Sequence, residues 1–334
     1  MKTSILKQNV GIDISMDDFK VSVQSLTSSL SIEVKGAKTF TNDLAGYTSF
    51  LDWVLTKTCG NCPVCFTMEA TGVYYEGLAY YLHGQGYTAH VVLPNQAKRY
   101  GQSLGARSKT DAIDARILGQ MGLERSLKKW EPASAHFLTL KSLTREREAL
   151  VCERTAAINR LHAYSHQGCH QDRCIQRAKL QIAFYDTQIA EIEKDIRKVV
   201  DSDKALCERL SYVESIKGVG FLTAVIVVAE TNGFASFENI RQVTSYAGMD
   251  IKIKESGKYK GKSKISKCGN RFIRKALYMP AFSMITHDDP TAEFYHRLSE
   301  RKGVKMVAAV AVQRKLLGLI YTLWKKQEMF KSAG

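Results

Sequence analysis

Short apolar and alternating runs mark the first forty residues. "NVGIDIS" is a short apolar run with Asp13 in its middle, "FKVSVQSL" alternates, and "LSIEVKG" offers a third strand. An antiparallel meander is therefore expected to open the chain. The spacing turns helical in "NDLAGYTSFLDWVLTK", where Asn42 or Asp43 is placed to cap. "VCFTMEATG" reads as a buried strand ending in Glu69 and Gly72, followed by a helix ("YYEGLAYYLHGQG"), a strand ("TAHVVLP") and a helix from Asp111. Three antiparallel strands followed by βα alternation predict an α/β domain over residues 1–130, a mixed sheet covered by helices.

Residues 131–205 are helical and highly charged. Ile182, Tyr185, Ile189, Ile192, Ile196 and Val199 recur at spacings of three and four, a heptad seam. "FLTLKSLTREREALVCERTAAINRLHAY" is its plausible partner, with Arg147 and Arg154 interrupting the seam. A hairpin within the chain and a coiled coil between copies both satisfy such a repeat. Residues 206–334 form a third, mainly helical region, in which two apolar runs flank Gly218-Val219-Gly220. That pattern suits a helix-hairpin-helix or an ordinary helix connection. In the former, glycines permit the tight turn and the N–H groups of the next helix start can bind phosphate.

Charge changes this picture. The 334 residues carry a net charge of +15, a self-repulsion that a polyanionic partner relieves, nucleic acid first. No uninterrupted apolar run is long enough to span a bilayer and "MKTSILKQNVGIDIS" lacks a signal-peptide core, so a cytoplasmic protein with no membrane partner is expected. Neither "CGNCPVC" nor "HAYSHQGCHQDRC" has the separated pairs of a zinc site, which favours reduced, ordinary cysteines. The positive charge peaks between Ile251 and Lys275, with ten Lys or Arg against one Glu. Gly257, Gly261 and Gly269 interleave with the lysines, and an apolar helix, "NRFIRKALYMPAFSMI", follows. An ordered loop along a phosphate backbone fits better than a solvated charge run. Lys258, Lys260, Lys262, Lys264, Lys267, Arg271 and Arg274 are its candidate contacts, joined by Arg107 and Lys109 and by Gly218 and Gly220.

One acidic pair needs an explanation. In "GARSKTDAIDAR", Ser108 or Thr110 can cap a helix whose Asp111 and Asp114 share a face and repel. Arg107, Lys109 and Arg116 could neutralise them on a solvated surface; the alternative is a divalent cation, which needs more carboxylates. The order of elements resembles the ribonuclease H-like fold in its RuvC resolvase variety. There, metal-binding acids lie mid-first-strand, at the end of the fourth strand and as a D-x-x-D pair on a late helix, and Asp13, Glu69, Asp111 and Asp114 occupy those places. Magnesium takes carboxylate oxygens at about 2.0–2.1 Å. Two such ions about 4 Å apart stabilise the attacking and leaving oxygens of a phosphoryl displacement.

The chain as a whole resembles the DEDD-type transposases of bacterial insertion sequences, the IS one-ten family. "VGIDIS", "MEATGVYYEGLAYYL", "LGARSKTDAIDARIL", "IKGVGFLTAVIVVAE", "ESGKYKGKSKISKCGNRFIRKALY" and "FYHRLSERKGVKMVAAVAVQRKLLGLIY" carry the resemblance. It implies a resolvase-like domain (1–130), a coiled-coil arm (131–205) and a C-terminal transposase domain (206–334). It also implies a catalytic serine in the S-G step, Ser256, where the residues alone leave Ser263 and Ser266 open. Further implications are magnesium (with Mn2+ as a possible substitute), DNA at element ends and target, an element-encoded bridge RNA, and a dimer assembling to a tetramer near the bacterial nucleoid. Two rivals stand beside this recombinase: a junction endonuclease using only the four acids, and a non-catalytic nucleic-acid scaffold.

Overall fold

The computed structural model describes residues 4–105, 110–167, 172–252, 255–256, 259–260 (backbone only) and 264–331. It divides into two compact units, Met1–Pro132 and Ala133–Gly334.

The first unit is built on a five-stranded mixed sheet of β1 (Ile5–Ile14), β2 (Asp18–Thr27), β3 (Ile32–Thr41), β4 (Val64–Glu69) and β5 (Thr88–Val92), in the order β3-β2-β1-β4-β5. β1, β2 and β3 pair antiparallel, while β4 is parallel to β1 and β5 to β4. Period two gives the sheet two unlike faces. Val10, Ile12, Phe19, Val21, Val23, Phe66 and Met68 are buried against α1 (Leu44–Lys57) and α2 (Glu76–Gly84) through Phe50, Val54, Leu78 and Leu82. Of the two expected caps for α1, Asp43 takes the role: its Oδ1 accepts from the Gly46 N–H at 2.7 Å, worth about 1 kcal/mol. The opposite face presents Asn9, Gly11, Asp13, Ser22, Gln24 and Thr67, and α4 (Asp111–Glu124) lies across it. α3 (Pro94–Ser103) packs beside α4 and is absent from the sequence-based expectation. Its mean polarity hid it, although Pro94 at its first turn was a legible start signal.

In the second unit α5 (Ala135–Ser165) and α6 (Asp172–Asp201) form an antiparallel hairpin within the chain. Arg147 pairs with Glu193, Arg154 with Asp186, and Arg160 with Gln181, so each step up one helix is a step down the other. The arginines that interrupt the seam are thus its cross-helix partners. Ile192, Ile196 and Val200 of α6 enter a core shared with α7 (Lys204–Glu214), α8 (Phe221–Glu230), α9 (Ile240–Tyr246) and α13 (Lys305–Lys326). The apolar segment after the basic loop is two helices, α10 (Arg271–Ala276) and α11 (Tyr278–His287), rather than the one expected. Pro280, lacking an N–H, belongs to the first turn of a new helix and cannot continue an old one. α12 (Asp289–Lys302) leads into α13. α13 has the length and hydropathy of a span, although its apolar run is interrupted by Gln313, Arg314 and Lys315. Its Ala308, Val312, Leu316, Ile320 and Trp324 are buried in protein, which accounts for its composition.

Candidate functional site

The acids in the first unit are arranged by strand register. β1 pairs with β4 up to Ile12↔Met68, and one more residue sets Asp13 beside Glu69. Across β2 the partner of Asp13 is Lys20. Registered neighbours point to the same side of a sheet, so Lys20, Asp13 and Glu69 form one row on the face that α4 covers. Asp13 is the penultimate residue of a strand that begins at Ile5, not the middle of a short one. The polar "ILKQ" segment extends the strand by pairing with β2 through a bulge.

The helix comes to this row because small residues let it approach. A Cβ at Gly11 would overlap the backbone of Ala115 and Gly119, one at Gly119 the amide of Gln24, and one at Gly122 the side chains of Asn9 and Thr67. Asn9 Nδ2 donates to the Gly119 carbonyl at 3.0 Å and Gln24 Nε2 to that of Arg116 at 2.8 Å. Two residues along β1 cover about 6.6 Å and four along a helix about 6 Å. Beyond the Gly11 contact, Asp13 and the first turn of α4 therefore reach the same level. Thr110 is the cap of that turn, its hydroxyl accepting from the Ile113 N–H at 3.3 Å, and Asp111 and Asp114 lie within it. Lys20 Nζ meets Asp111 Oδ2 at 2.5 Å. The hydrogen bond to Asp111 leads the causes that hold the Lys20 ammonium above its ordinary pKa, with the fields of Asp111, Asp18 and Asp13 adding to it against a smaller opposing desolvation.

Asp13, Glu69, Asp111 and Asp114 offer only hard carboxylate oxygens, the donor set that suits magnesium or manganese. Among the described residues no three carboxylate, imidazole or thiol groups converge tightly enough to hold an ion. Among the described residues, Lys20 is a cation that pairs with one of these acids, Asp111.

The basic loop of the second unit is a pair of short ribbons. β6 (Ile251–Lys252) pairs with β9 (Lys264–Ile265), and β7 (Glu255–Ser256) with β8 (Tyr259–Lys260), Ser256 opposite Tyr259. Ser256 is exposed, as are Lys252, Lys264, Lys267 and Arg271. Arg107, Lys109, Lys258, Lys262 and Ser263, and the side chain of Lys260, lie outside the described residues. Ser266 is engaged at the loop's root, its hydroxyl donating to Asp250. Arg274 also turns inward: its Nη1 donates to the carbonyls of Ala247 at 2.8 Å and Gly269 at 3.0 Å. Gly218 has φ +87° and abuts Ser283 and Pro280, where any side chain would collide, whereas Gly220 caps α8 with open space around it.

Sequence reasoning missed Lys20 and the seating of α4. The seat left a trace, since Ala115, Gly119 and Gly122 are small residues spaced along one helical face and Asn9, Ser22, Gln24 and Thr67 interrupt apolar strands at alternate positions. Lys20, next to two aspartates in "MDDFK", carried no distinguishing signal.

Comparison with known proteins adds the family. A model described as "Transposase" matches residues 10–167, spanning all four acids, and one described as "Transposase IS116/IS110/IS902 family" matches residues 210–296, spanning Ser256. The chain belongs to the IS110-type transposases. It is accordingly a DNA transposase of the recombinase kind. The pilin gene-inverting protein of Moraxella bovis is 27% identical over 299 residues, covering 87% of this chain and 89% of that protein. The transposase for insertion sequence element IS1111A of Coxiella burnetii is 25% identical over 303 residues, covering 80% and 79%. Among solved structures, T. thermophilus RuvC in complex with a Holliday junction substrate aligns with a TM-score of 0.28 and 10% identity, covering 37% of this chain and 99% of that one.

Proposed function

We propose that the chain moves its own insertion sequence by a serine-linked recombination in which an acid-held magnesium site assists, within a ribonuclease H-like first domain. The observation that carries this reading is the division of the family match. One model spans the row of acids, the other the exposed serine on its basic ribbon, and each segment has a fold suited to one half of the chemistry. Strand register supports the first half, by bringing Asp13 abreast of Glu69 below the Asp111 turn.

A serine hydroxyl is a poor nucleophile until a base or metal activates it. In the proposed step the Ser256 hydroxyl gives up its proton, an Oγ–P bond forms to a DNA phosphate, and the P–O bond to the leaving strand breaks. The proton ends on the departing oxygen. The phosphoserine ester conserves the bond's energy, so a hydroxyl from another strand reverses the step and seals the exchange without external energy. Asp13, Glu69, Asp111 and Asp114 would hold a magnesium ion once drawn together around it, and it would supply a Lewis acid for phosphate oxygens. Lysines of the ribbons neutralise phosphates and hold the strand in place.

The remaining parts of the proposal follow the family: a helical arm (131–205) between the resolvase-like (1–130) and serine-bearing (206–334) domains, a helix-hairpin-helix around Gly218 and Gly220, and an element-encoded bridge RNA that specifies the sites. A dimer assembling to a tetramer in the bacterial cytoplasm, at the nucleoid, completes it. Incubation with a nicked suicide DNA substrate, followed by mass spectrometry, tests the central step. The expected product is a DNA–peptide adduct on Ser256, absent from Ser256→Ala. An adduct on another residue, or recombination by Ser256→Ala, refutes it.

A further inference from the structure

At the root of the serine loop, far along the chain from the four acids, lies a buried polar cluster. The side chain of Glu230, last residue of α8, is 0% exposed. Its carboxylate accepts from Arg145 of α5 twice, Nε at 2.6 Å and Nη2 at 2.9 Å, and from Asn270 Nδ2 at 2.6 Å. Its backbone carbonyl accepts from the Tyr246 hydroxyl at 3.0 Å. Asn270 is the residue by which the loop enters α10, and its Oδ1 caps that helix by accepting from the N–H groups of Phe272 and Ile273. Tyr246 is the last residue of α9, just before the loop departs.

Both ends of the 247–269 segment are thus hydrogen-bonded to one residue. They are also clasped to each other: the Asn270 N–H donates to the Tyr246 carbonyl at 2.7 Å and that of Lys267 to the Gly248 carbonyl at 3.0 Å. A Cβ at Gly269 would collide with the Tyr246 carbonyl and the Gly248 backbone. An ion pair that buries its carboxylate is a poor way to gain stability, because the desolvation of Glu230 offsets much of the attraction. What three directed bonds provide in its place is direction. Ser256 lies six residues beyond Asp250, up to about 20 Å of extended chain, so a tilt of roughly 5° at the root moves it by about 2 Å. Misplacement of a reacting group by about 1 Å can cost about a hundredfold in rate.

We infer that the Arg145–Glu230–Asn270 linkage is the positioning device of the serine loop, aiming Ser256 from the loop's root. The inference rests on the reading of Ser256 as nucleophile, and it makes α5, through Arg145, one leg of the loop's support. Asn270→Asp isolates the linkage. An aspartate keeps the helix cap, since it accepts from the same N–H groups, but sets a carboxylate against that of Glu230. Adding Glu230→Gln restores a donor–acceptor pair with its polarity reversed.

At saturating suicide DNA, Asn270→Asp is expected to slow adduct formation about a hundredfold with DNA affinity within about twofold. The Glu230→Gln/Asn270→Asp double variant regains the 230–270 bond but gives up the Arg145 Nη2 bond to the shared oxygen, and is expected to recover part of that rate. A folded Asn270→Asp protein with the original rate, or a double variant no faster than the single one, overturns the inference. Should Asn270→Asp not fold, Arg145→Lys serves in its place. It keeps the charge but only one of the two bonds, and an unchanged adduct rate again overturns the linkage. Amide hydrogen exchange at residues 248–252 and 264–270 separates this inference from the proposed function. Faster exchange in Asn270→Asp that reverts in the double variant supports the linkage even if the adduct is absent from Ser256, whereas unchanged exchange refutes it.

Discussion

The row of acids and the serine ribbon are built in opposite ways. Asp13 and Glu69 sit on neighbouring strands of a five-stranded sheet, one face apolar and packed, the other clamped by a helix whose backbone comes within contact of Gly11. Ser256 sits on a two-residue strand, exposed, paired with another two-residue strand. Carboxylates that share an ion repel one another in its absence, so a rigid scaffold has to hold them. A serine proposed to attack a DNA phosphate has the converse need. It must project from the surface, and rigidity belongs at its base, where Glu230, Asn270 and Gly269 supply it.

The largest effects expected are losses of function that separate the two regions. Asp13→Ala and Glu69→Ala should reduce strand transfer to background, and so should Ser256→Ala, all with DNA affinity nearly unchanged. The two classes should differ in what they leave behind. Ser256→Ala yields no adduct whatever the metal, whereas wild-type protein in excess chelator should behave as the acid variants do. Strand transfer undiminished by Asp13→Ala or by chelator would remove the metal site from the comparison.

Next comes the seat of α4. Gly119→Val forces a branched side chain into the Gln24 amide, and overpacking at a helix–sheet contact costs about 3 kcal/mol. Lys264→Ala on the exposed ribbon should change stability by less than about 0.5 kcal/mol. Urea denaturation followed by circular dichroism measures both. Equal stability of the two variants would show that α4 is not held as closely as its glycines imply.

How much of this was legible in the sequence follows the same division. Alternation in "FKVSVQSL" and short apolar runs such as "NVGIDIS" and "VCFTMEATG" made the strands legible, because sheet faces and buried strands write themselves into such patterns. The four acids were proposed from the order of elements and a family resemblance, while the alignment of Asp13 with Glu69 required the register, which is set by pairing and not by local pattern. α3 was missed because it is polar overall and its inward stripe is only Ala97, Tyr100 and Gly101. Glu230, Asn270 and Arg145 were invisible for a different reason. They are 85 and 40 residues apart in sequence and meet only through tertiary packing. Lysines in the loop were legible as charge, yet nothing in the pattern distinguished Arg274, which is tied to backbone carbonyls, from Arg271, which is exposed.

That last distinction is testable by salt. Lys252, Lys264, Lys267 and Arg271 are exposed. Replacing each by Gln should lower the slope of log affinity against log salt by about 0.9 for every duplex phosphate left without its cation. Arg274→Gln should leave the slope unchanged and lower stability by about 1–3 kcal/mol, because carbonyls at the loop's root lose their donor. A slope unaffected by the four exposed replacements would assign the ribbon to a solvated face, and a slope changed by Arg274→Gln would give that residue to the nucleic acid.

The smallest effect concerns Lys20, and it tests whether the acid row is built around a cation. Lys20 is the register partner of Asp13 and pairs with Asp111 at 2.5 Å. Its positive charge therefore lies where the proposed magnesium would be drawn, and the two cations would compete for Asp111. Lys20→Met keeps the aliphatic stem on the sheet and removes the charge. In chelator the variant should melt slightly lower than wild type, since the carboxylates lose their counter-ion. In magnesium the order should narrow or reverse, as ion binding to the folded state raises its stability. Magnesium affinity, read from the dependence of melting temperature on its concentration, should rise about three- to tenfold. Lys20→Arg, which preserves the charge, is the control and should stay within about twofold of wild type. Weaker magnesium binding by Lys20→Met would mean that the lysine organises the acids instead of competing for them. No difference between the variants would detach Lys20 from the site, leaving strand register as the sole support for an ion among these acids.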